Sequence, residues 1–154
     1  LATEGTVNRT YTHNLIQEFA RNRTVFLHGS ARLVELAEEK LQYGTVYRHL
    51  VAQELLPLFE KNPNMDTVVL ACTHFPLLKE EFIQSFPHIK FWVDSGSAIA
   101  NRVESLLIAQ ELVTVDAHAP AGPNTFFVTS TPSNYTQASL ERYLGQFRED
   151  FISL

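Results

Sequence analysis

The chain has 154 residues, 45% of them hydrophobic and 19% charged, with a formal net charge of −5. That balance fits one ordinary globular domain, or part of a larger one, with a core worth burying. It has no basic block and no apolar run near the ~20 residues of a membrane span, so nucleic acid and the bilayer are not expected partners.

The first residue is Leu1, and no basic n-region or cleavage site follows it, so a secretory signal is not expected. Leu1 to Val7 (LATEGTV) reads as the end of a strand running into a turn, so the chain is expected to start inside a fold, with a processed N-terminus as the alternative. Thr12 to Asn22 carries Leu15, Ile16 and Phe19 at helical spacing. Thr24 to Leu27 (TVFL) is a short apolar run expected to form a strand. Helical patterns follow over Ala31 to Leu41 and over Tyr47 to Phe59. Thr67 to Ala71 (TVVLA) and Ile89 to Val93 (IKFWV) read as strands, and their continuous apolar character predicts burial on both faces. Pro76 to Phe86 between them predicts a helix with proline in its first turn. A helix over Ser97 to Leu112 comes next. Asp116 to Asn124 (DAHAPAGPN) reads as a linker or crossover. Thr125 to Thr129 (TFFVT) predicts a strand, and Ser133 to Phe147 a helix.

Strands alternating with helices predict an α/β fold: an open, mainly parallel sheet flanked by helices. In such sheets, ligands bind beyond the carboxyl ends of the strands. The residues just after each strand are therefore the candidates for chemistry.

Cys72 is the single cysteine, which excludes an internal disulfide and suits a reducing cytosol. It sits in Leu70-Ala-Cys-Thr-His-Phe-Pro-Leu-Leu78, where a strand gives way to a helix. The positive end of a helix dipole there would favour thiolate. His74, two residues on, could hydrogen-bond the sulfur or move a proton, and Thr73 could hold a carboxylate. A small buried cysteine that only fills space is the structural alternative. Thr3 and Thr6, around Gly5, could hold an amino or carboxylate group, or simply cap a helix. Glu35 follows the Gly29-Ser30 turn. On its own it reads as a solvated helical carboxylate, like Glu38 and Glu39. Asp94, in Val93-Asp-Ser-Gly-Ser97, is expected to cap the next helix. One cysteine with one nearby histidine is too small a ligand set for zinc, so no metal is expected.

Four segments in this order, LATEGTV, GSARLVELAEEKL, VVLACTHFPLL and VDSGSAIANRV, resemble the second half of the bacterial glutamate racemases, within the aspartate/glutamate racemase family. The resemblance covers residues 1–105 well, and TFFVTSTP also looks like the family's closing segment. It implies one lobe of a two-lobe enzyme, residues 1–115, then a linker at 116–124. The strand–helix segment 125–154 would return to the missing first lobe.

It further implies cofactor-independent conversion of L- to D-glutamate for peptidoglycan, in the cytoplasm. Two cysteines, one per lobe, would exchange the α-proton. By position, Cys72 matches the second-lobe cysteine, His74 its assisting histidine and Thr73 a substrate-holding residue. Glu35 matches the carboxylate of a PLVE-like stretch, here RLVE, and Thr3 and Thr6 match substrate-facing threonines. Ala2 stands where many members have glycine. The first cysteine, followed in the family by Asn-Thr, is not in this chain, so the chain alone is expected to be inactive.

The implied partners are glutamate, the missing N-terminal lobe and, left open, a second copy in a homodimer. The alternatives are a racemase for aspartate or a related acid, a non-catalytic binding module on the same fold, and a Cys–His hydrolase. The hydrolase needs a third residue to orient the pair, and no such residue is evident from spacing.

Overall fold

The structure is a computed structural model. It describes residues 1–111, 125–128 and 148–151. The chain divides into two compact units, one of residues 1–40 and 44–96, the other of residues 41–43 and 97–154.

The first unit is built on a small parallel sheet. Strand β1 (Thr67–Val69) pairs in parallel with β2 (Phe91–Val93), with Val68 opposite Trp92. Two shorter segments extend the sheet beyond β1. The amino group of Leu1 donates to the Val69 carbonyl at 3.0 Å. The Ala71 N–H donates to the Leu1 carbonyl at 2.9 Å, which completes a parallel pairing. Ala2 forms a parallel bridge with Gly29: its N–H donates to His28, and the Ser30 N–H donates back to it, each at 3.0 Å. The sheet order is therefore 28–30, 1–2, β1, β2.

The expected strand at Thr24–Leu27 does not form. Its neighbour, Leu1–Ala2, offers only two residues, and the pairing falls at His28–Ser30 instead, leaving Val25 exposed. The junction is tight. A Cβ on Gly29 would lie 2.8 Å from the Glu4 Cα and 3.0 Å from the Glu4 nitrogen, so only glycine fits beneath that backbone.

The helices are α1 (Glu4–Val7), α2 (Thr10–Phe19), α3 (Arg32–Tyr43), α4 (Arg48–Lys61) and α5 (Lys79–Ser85); α2, α3 and α4 fall on the helical patterns of the sequence, whereas α1 lies where a turn is expected. The apolar stripe of α3 buries Leu33, Leu36 and Ala37, and that of α4 buries Val51, Leu55 and Leu58. Gly44 ends α3 in the left-handed conformation (φ 79°), its N–H capping the Lys40 carbonyl at 2.8 Å. Phe75, Leu78, Phe82 and Trp92 complete the core, with the Phe82 and Trp92 rings stacked 5.1 Å apart.

Two expectations change. The helix expected over Pro76–Phe86 is broken into a 3₁₀ helix (Phe75–Leu78) followed by α5. The strands are buried on one face rather than both. Val68 and Trp92 point into the core, while the strand alternation leaves Val69, Phe91 and Val93 exposed.

In the second unit, α6 (Gly96–Ala109, its first residue belonging to the first unit) carries exposed Ile99, Val103, Leu106, Leu107 and Ile108. Strand β3 (Thr125–Val128) forms as expected and pairs in parallel with β4 (Arg148–Phe151), which the sequence pattern does not announce. The expected linker at 116–124 and helix at Ser133–Phe147 lie outside the described residues. No described helix is long and apolar enough to cross a membrane.

Candidate active site

The sheet brings Thr3 and Cys72 to one edge. Leu1 and Ala2 run level with Leu70 and Ala71, so Thr3 leaves the sheet level with Cys72 on the adjacent strand. Parallel neighbours lie about 4.8 Å apart, which makes this edge a shared rim.

Cys72 is half-buried, between β1 and the 3₁₀ helix. Its Sγ lies 3.9 Å from His74 Nδ1, a long contact of the kind a thiol makes as a weak donor. The Phe75 N–H donates to the Cys72 carbonyl at 3.2 Å, and buried Phe75 pins the turn from below. The helix that begins here is a four-residue 3₁₀ segment rather than the long α-helix expected. The dipole at the thiol is correspondingly that of about one turn.

His74 is held from its other side. Its Nε2 lies 2.7 Å from Glu38 Oε1, on α3. By sequence alone, Glu38 reads as one of the solvated helical carboxylates. Its place one turn beyond Glu35 does not single it out, because Glu39 lies one turn beyond Glu35 as well. Glu35 itself has Arg32 as its partner, at 2.6 Å, and its side chain is 63% exposed. Arg32 also holds Glu39 at 3.2 Å. The Glu35 hydrogen bond and the two carboxylates hold the Arg32 guanidinium above its ordinary range.

Thr3 and Thr6 are brought together. Their hydroxyl oxygens lie 3.0 Å apart, and both residues are partly exposed. Thr3 occupies the N-cap position of α1 without a side-chain capping bond, so neither hydroxyl is consumed in capping. Thr12 Oγ1 donates to the Thr6 carbonyl at 2.6 Å and braces the turn. Thr73 is exposed beside Cys72.

Two supports were less legible. Ser30, buried, accepts from the Leu33 N–H at 3.1 Å and donates to the Glu54 carboxylate at 2.8 Å, which ties the start of α3 to α4. Asp94 caps as expected, accepting the Gly96 N–H at 3.0 Å, and also receives Lys79 Nζ at 2.9 Å.

The Lys79 hydrogen bond, with the Gly96 N–H and the Lys79 charge, holds the Asp94 carboxyl below its ordinary value of 3.8. A carboxyl whose pKa is lowered by folding stabilises the fold fully above that ordinary value and progressively less as pH falls through the folded value. Asp94→Asn is therefore expected to lower the urea midpoint modestly near neutral pH. The gap from the parent chain should close as pH is taken from about 5 to about 2. A gap that stays constant over that range would show that the carboxylate charge is not what matters.

Among the described residues, no group of three His, Cys, Asp or Glu side chains is placed to hold a metal ion.

No family model matches the chain. Glutamate racemase of Pasteurella multocida (strain Pm70) is 53% identical over 107 residues, which cover 70% of this chain and 39% of that protein. The glutamate racemase of Histophilus somni (strain 129Pt) is 49% identical over 107 residues, covering 70% and 40%. Among solved structures, Escherichia coli glutamate racemase, in complex with L-glutamate and the activator UDP-MurNAc-ala, superposes with a TM-score of 0.79 at 42% identity. That match covers 97% of this chain and 55% of the other. A Bacillus anthracis glutamate racemase isoform, at 24% identity, shares the fold with a TM-score of 0.77, covering 99% and 56%. The chain thus spans about two fifths of the curated relatives' length and a little over half of the solved chains'. In sequence over most of its length, and in fold over nearly all of it, the chain matches a portion of the glutamate racemases.

Proposed function

We propose that this chain is the second catalytic lobe of a glutamate racemase, supplying one of two acid–base cysteines. The observation that carries the proposal is the line Cys72–His74–Glu38, set at the carboxyl edge of the sheet, level with the paired threonines. A thiolate on one face of the substrate takes the α-proton, and a thiol on the other face delivers one. Cys72 is the base or the acid depending on the direction of reaction. His74 exchanges the proton with the sulfur. Thr73, Thr3 and Thr6 hold the substrate by hydroxyl and backbone donors, and Glu35 adds a carboxylate near the same rim. Hydrogen-bond donors placed at the substrate carboxylate disperse the charge that develops when the α-proton leaves.

The substrate is glutamate, in line with the E. coli relative's complex with L-glutamate. The product is D-glutamate for peptidoglycan, made in the cytoplasm, where a lone thiol stays reduced. The other lobe brings the first cysteine and covers apolar surface that this chain leaves open, with residues 125–154 returning to it. Exposed Val69, Phe91 and Val93 in the first unit, and the exposed apolar side chains of α6 in the second, support such a cover.

One cysteine cannot run two-base chemistry. The isolated chain is expected to give no sustained racemisation of L-glutamate, followed by circular dichroism of the amino acid. Activity should appear on adding a polypeptide that carries the first lobe. Sustained turnover by the chain alone would overturn the two-cysteine mechanism.

The hydrolase reading gains one observation, because Glu38 is the third residue that a Cys–His pair requires. An activated ester separates the two readings. A hydrolase turns it over repeatedly, whereas a racemase lobe at most acylates Cys72 once.

A further inference from the structure

Three glutamates on one helix share two partners, the guanidinium of Arg32 and the imidazole of His74, and the outcome selects one of them. Glu35 and Glu39 both bond Arg32, at 2.6 and 3.2 Å. Glu38 bonds the imidazole of His74 at 2.7 Å instead. That separation is shorter than the ~2.9 Å of an ordinary N–H···O bond and falls in the charge-assisted range. Both ends are fixed from behind. Glu38 follows Leu36 and Ala37, which are fully buried, and His74 precedes Phe75, also fully buried.

We propose that Glu38 is the positioning residue for His74, holding the imidazole in the tautomer that turns an unprotonated Nδ1 toward the Cys72 sulfur. An ionised carboxylate can only accept, so the ring nitrogen facing it carries the hydrogen. In a neutral imidazole the other nitrogen then has a free lone pair. That nitrogen is Nδ1, 3.9 Å from Sγ. The thiol proton moves from Sγ to Nδ1, leaving a thiolate beside an imidazolium whose second N–H still faces Glu38. Return of the proton restores the neutral pair, so the exchange balances without a further reactant.

The proposal rests on the racemase reading for its purpose, but its test does not use racemase activity. Cys72 is the single thiol of the chain, so alkylation by iodoacetamide reports on that sulfur alone. Long-range ¹H–¹⁵N spectra of the histidine ring, taken at about pH 8, report the tautomer directly. In the parent chain the hydrogen is expected on Nε2 of His74. Glu38→Ala is expected to populate the Nδ1–H tautomer and to slow alkylation about threefold to tenfold, the scale of one ordinary hydrogen bond, because the half-exposed Glu38 is screened by solvent. Glu38→Asp is expected to restore part of both signals. Glu39→Ala, which loses only an Arg32 contact, is expected to change neither.

Glu38 is an exposed helical residue, so alanine there keeps the helix, and far-ultraviolet circular dichroism checks that it has. An Nε2–H tautomer and an alkylation rate that both survive Glu38→Ala in a folded chain would overturn the proposal. If the tautomer shifts as stated but the chain with the added first lobe never racemises glutamate, the racemase reading fails and the positioning role stands.

Discussion

Replacing Phe82 with alanine is expected to cost about 3–5 kcal/mol, the largest loss of stability of any substitution considered for this chain. Phe82 has no exposed surface and lies on α5, one turn beyond the 3₁₀ segment that carries Phe75 and Leu78. Its ring stacks on Trp92 at 5.1 Å with an interplanar angle of 16°. Trp92 comes from the middle of β2, opposite Val68. Truncation thus opens a void where helix meets sheet, and the stacked ring loses its partner. Domains of this kind hold about 5–15 kcal/mol in total, so the loss takes much of the margin. Trp92 is the chain's one tryptophan, so its fluorescence reports this contact without ambiguity. The urea midpoint should fall sharply and the native emission should shift to the red. A midpoint within error of the parent's would mean that Phe82 does not anchor the helix to the sheet.

Cys72→Ser is expected to carry the largest effect on activity. Serine keeps the shape and a hydroxyl, but a hydroxyl is not ionised near neutral pH, whereas a thiol with an ordinary value of about 8.5 is within reach of it. Positioned acid–base groups contribute about 10²–10⁴-fold to a rate. In the chain assembled with a first lobe, racemisation should fall by at least that factor in both directions. Exchange of the substrate's α-hydrogen with solvent sharpens the test. With Cys72 removed, the first-lobe cysteine can still take and return a proton on its own face, so exchange of one enantiomer should outlast racemisation. Racemisation at the parent rate by the serine chain would exclude Cys72 as the second base.

The helices were legible because burial of one stripe leaves a direct mark on the sequence. Leu33, Leu36 and Ala37 in α3, like Val51, Leu55 and Leu58 in α4, fall at helical spacing and are buried. The short strands were legible only in part. Thr67–Val69 and Phe91–Val93 are apolar throughout, which predicts two covered faces, but one face of the pair is exposed. Apolar composition records what a strand can bury, and a covering element need not lie within the same segment of chain. The run at Thr24–Leu27 has strand composition, yet strand formation depends on a partner ladder, and Leu1–Ala2 meets the chain further on, at His28–Ser30.

The candidate site followed the same division. Cys72 and His74 are two residues apart, and Thr3 and Thr6 three, so local spacing places each pair together. Glu38 joins His74 across 36 residues of sequence, while Arg32 engages Glu35 and Glu39. That division of partners among side chains on one helix leaves no mark in the spacing.

The parallel sheet gives its two rims different fates. Thr3, Cys72 and Asp94 each follow a strand segment at the carboxyl rim and Ser30 ends one there, where a change of one residue meets the proposed chemistry or the bonds that hold it. At the opposite rim, the turns at residues 62–66 and 86–90 lead into β1 and β2, joined by the Lys90 and Phe91 N–H groups to the Asp66 carbonyl. A tag or dye inserted within residues 62–64 would sit at the far end of the strands from the thiol. In descendants of this fold, length variation should gather on that rim while the other keeps its spelling.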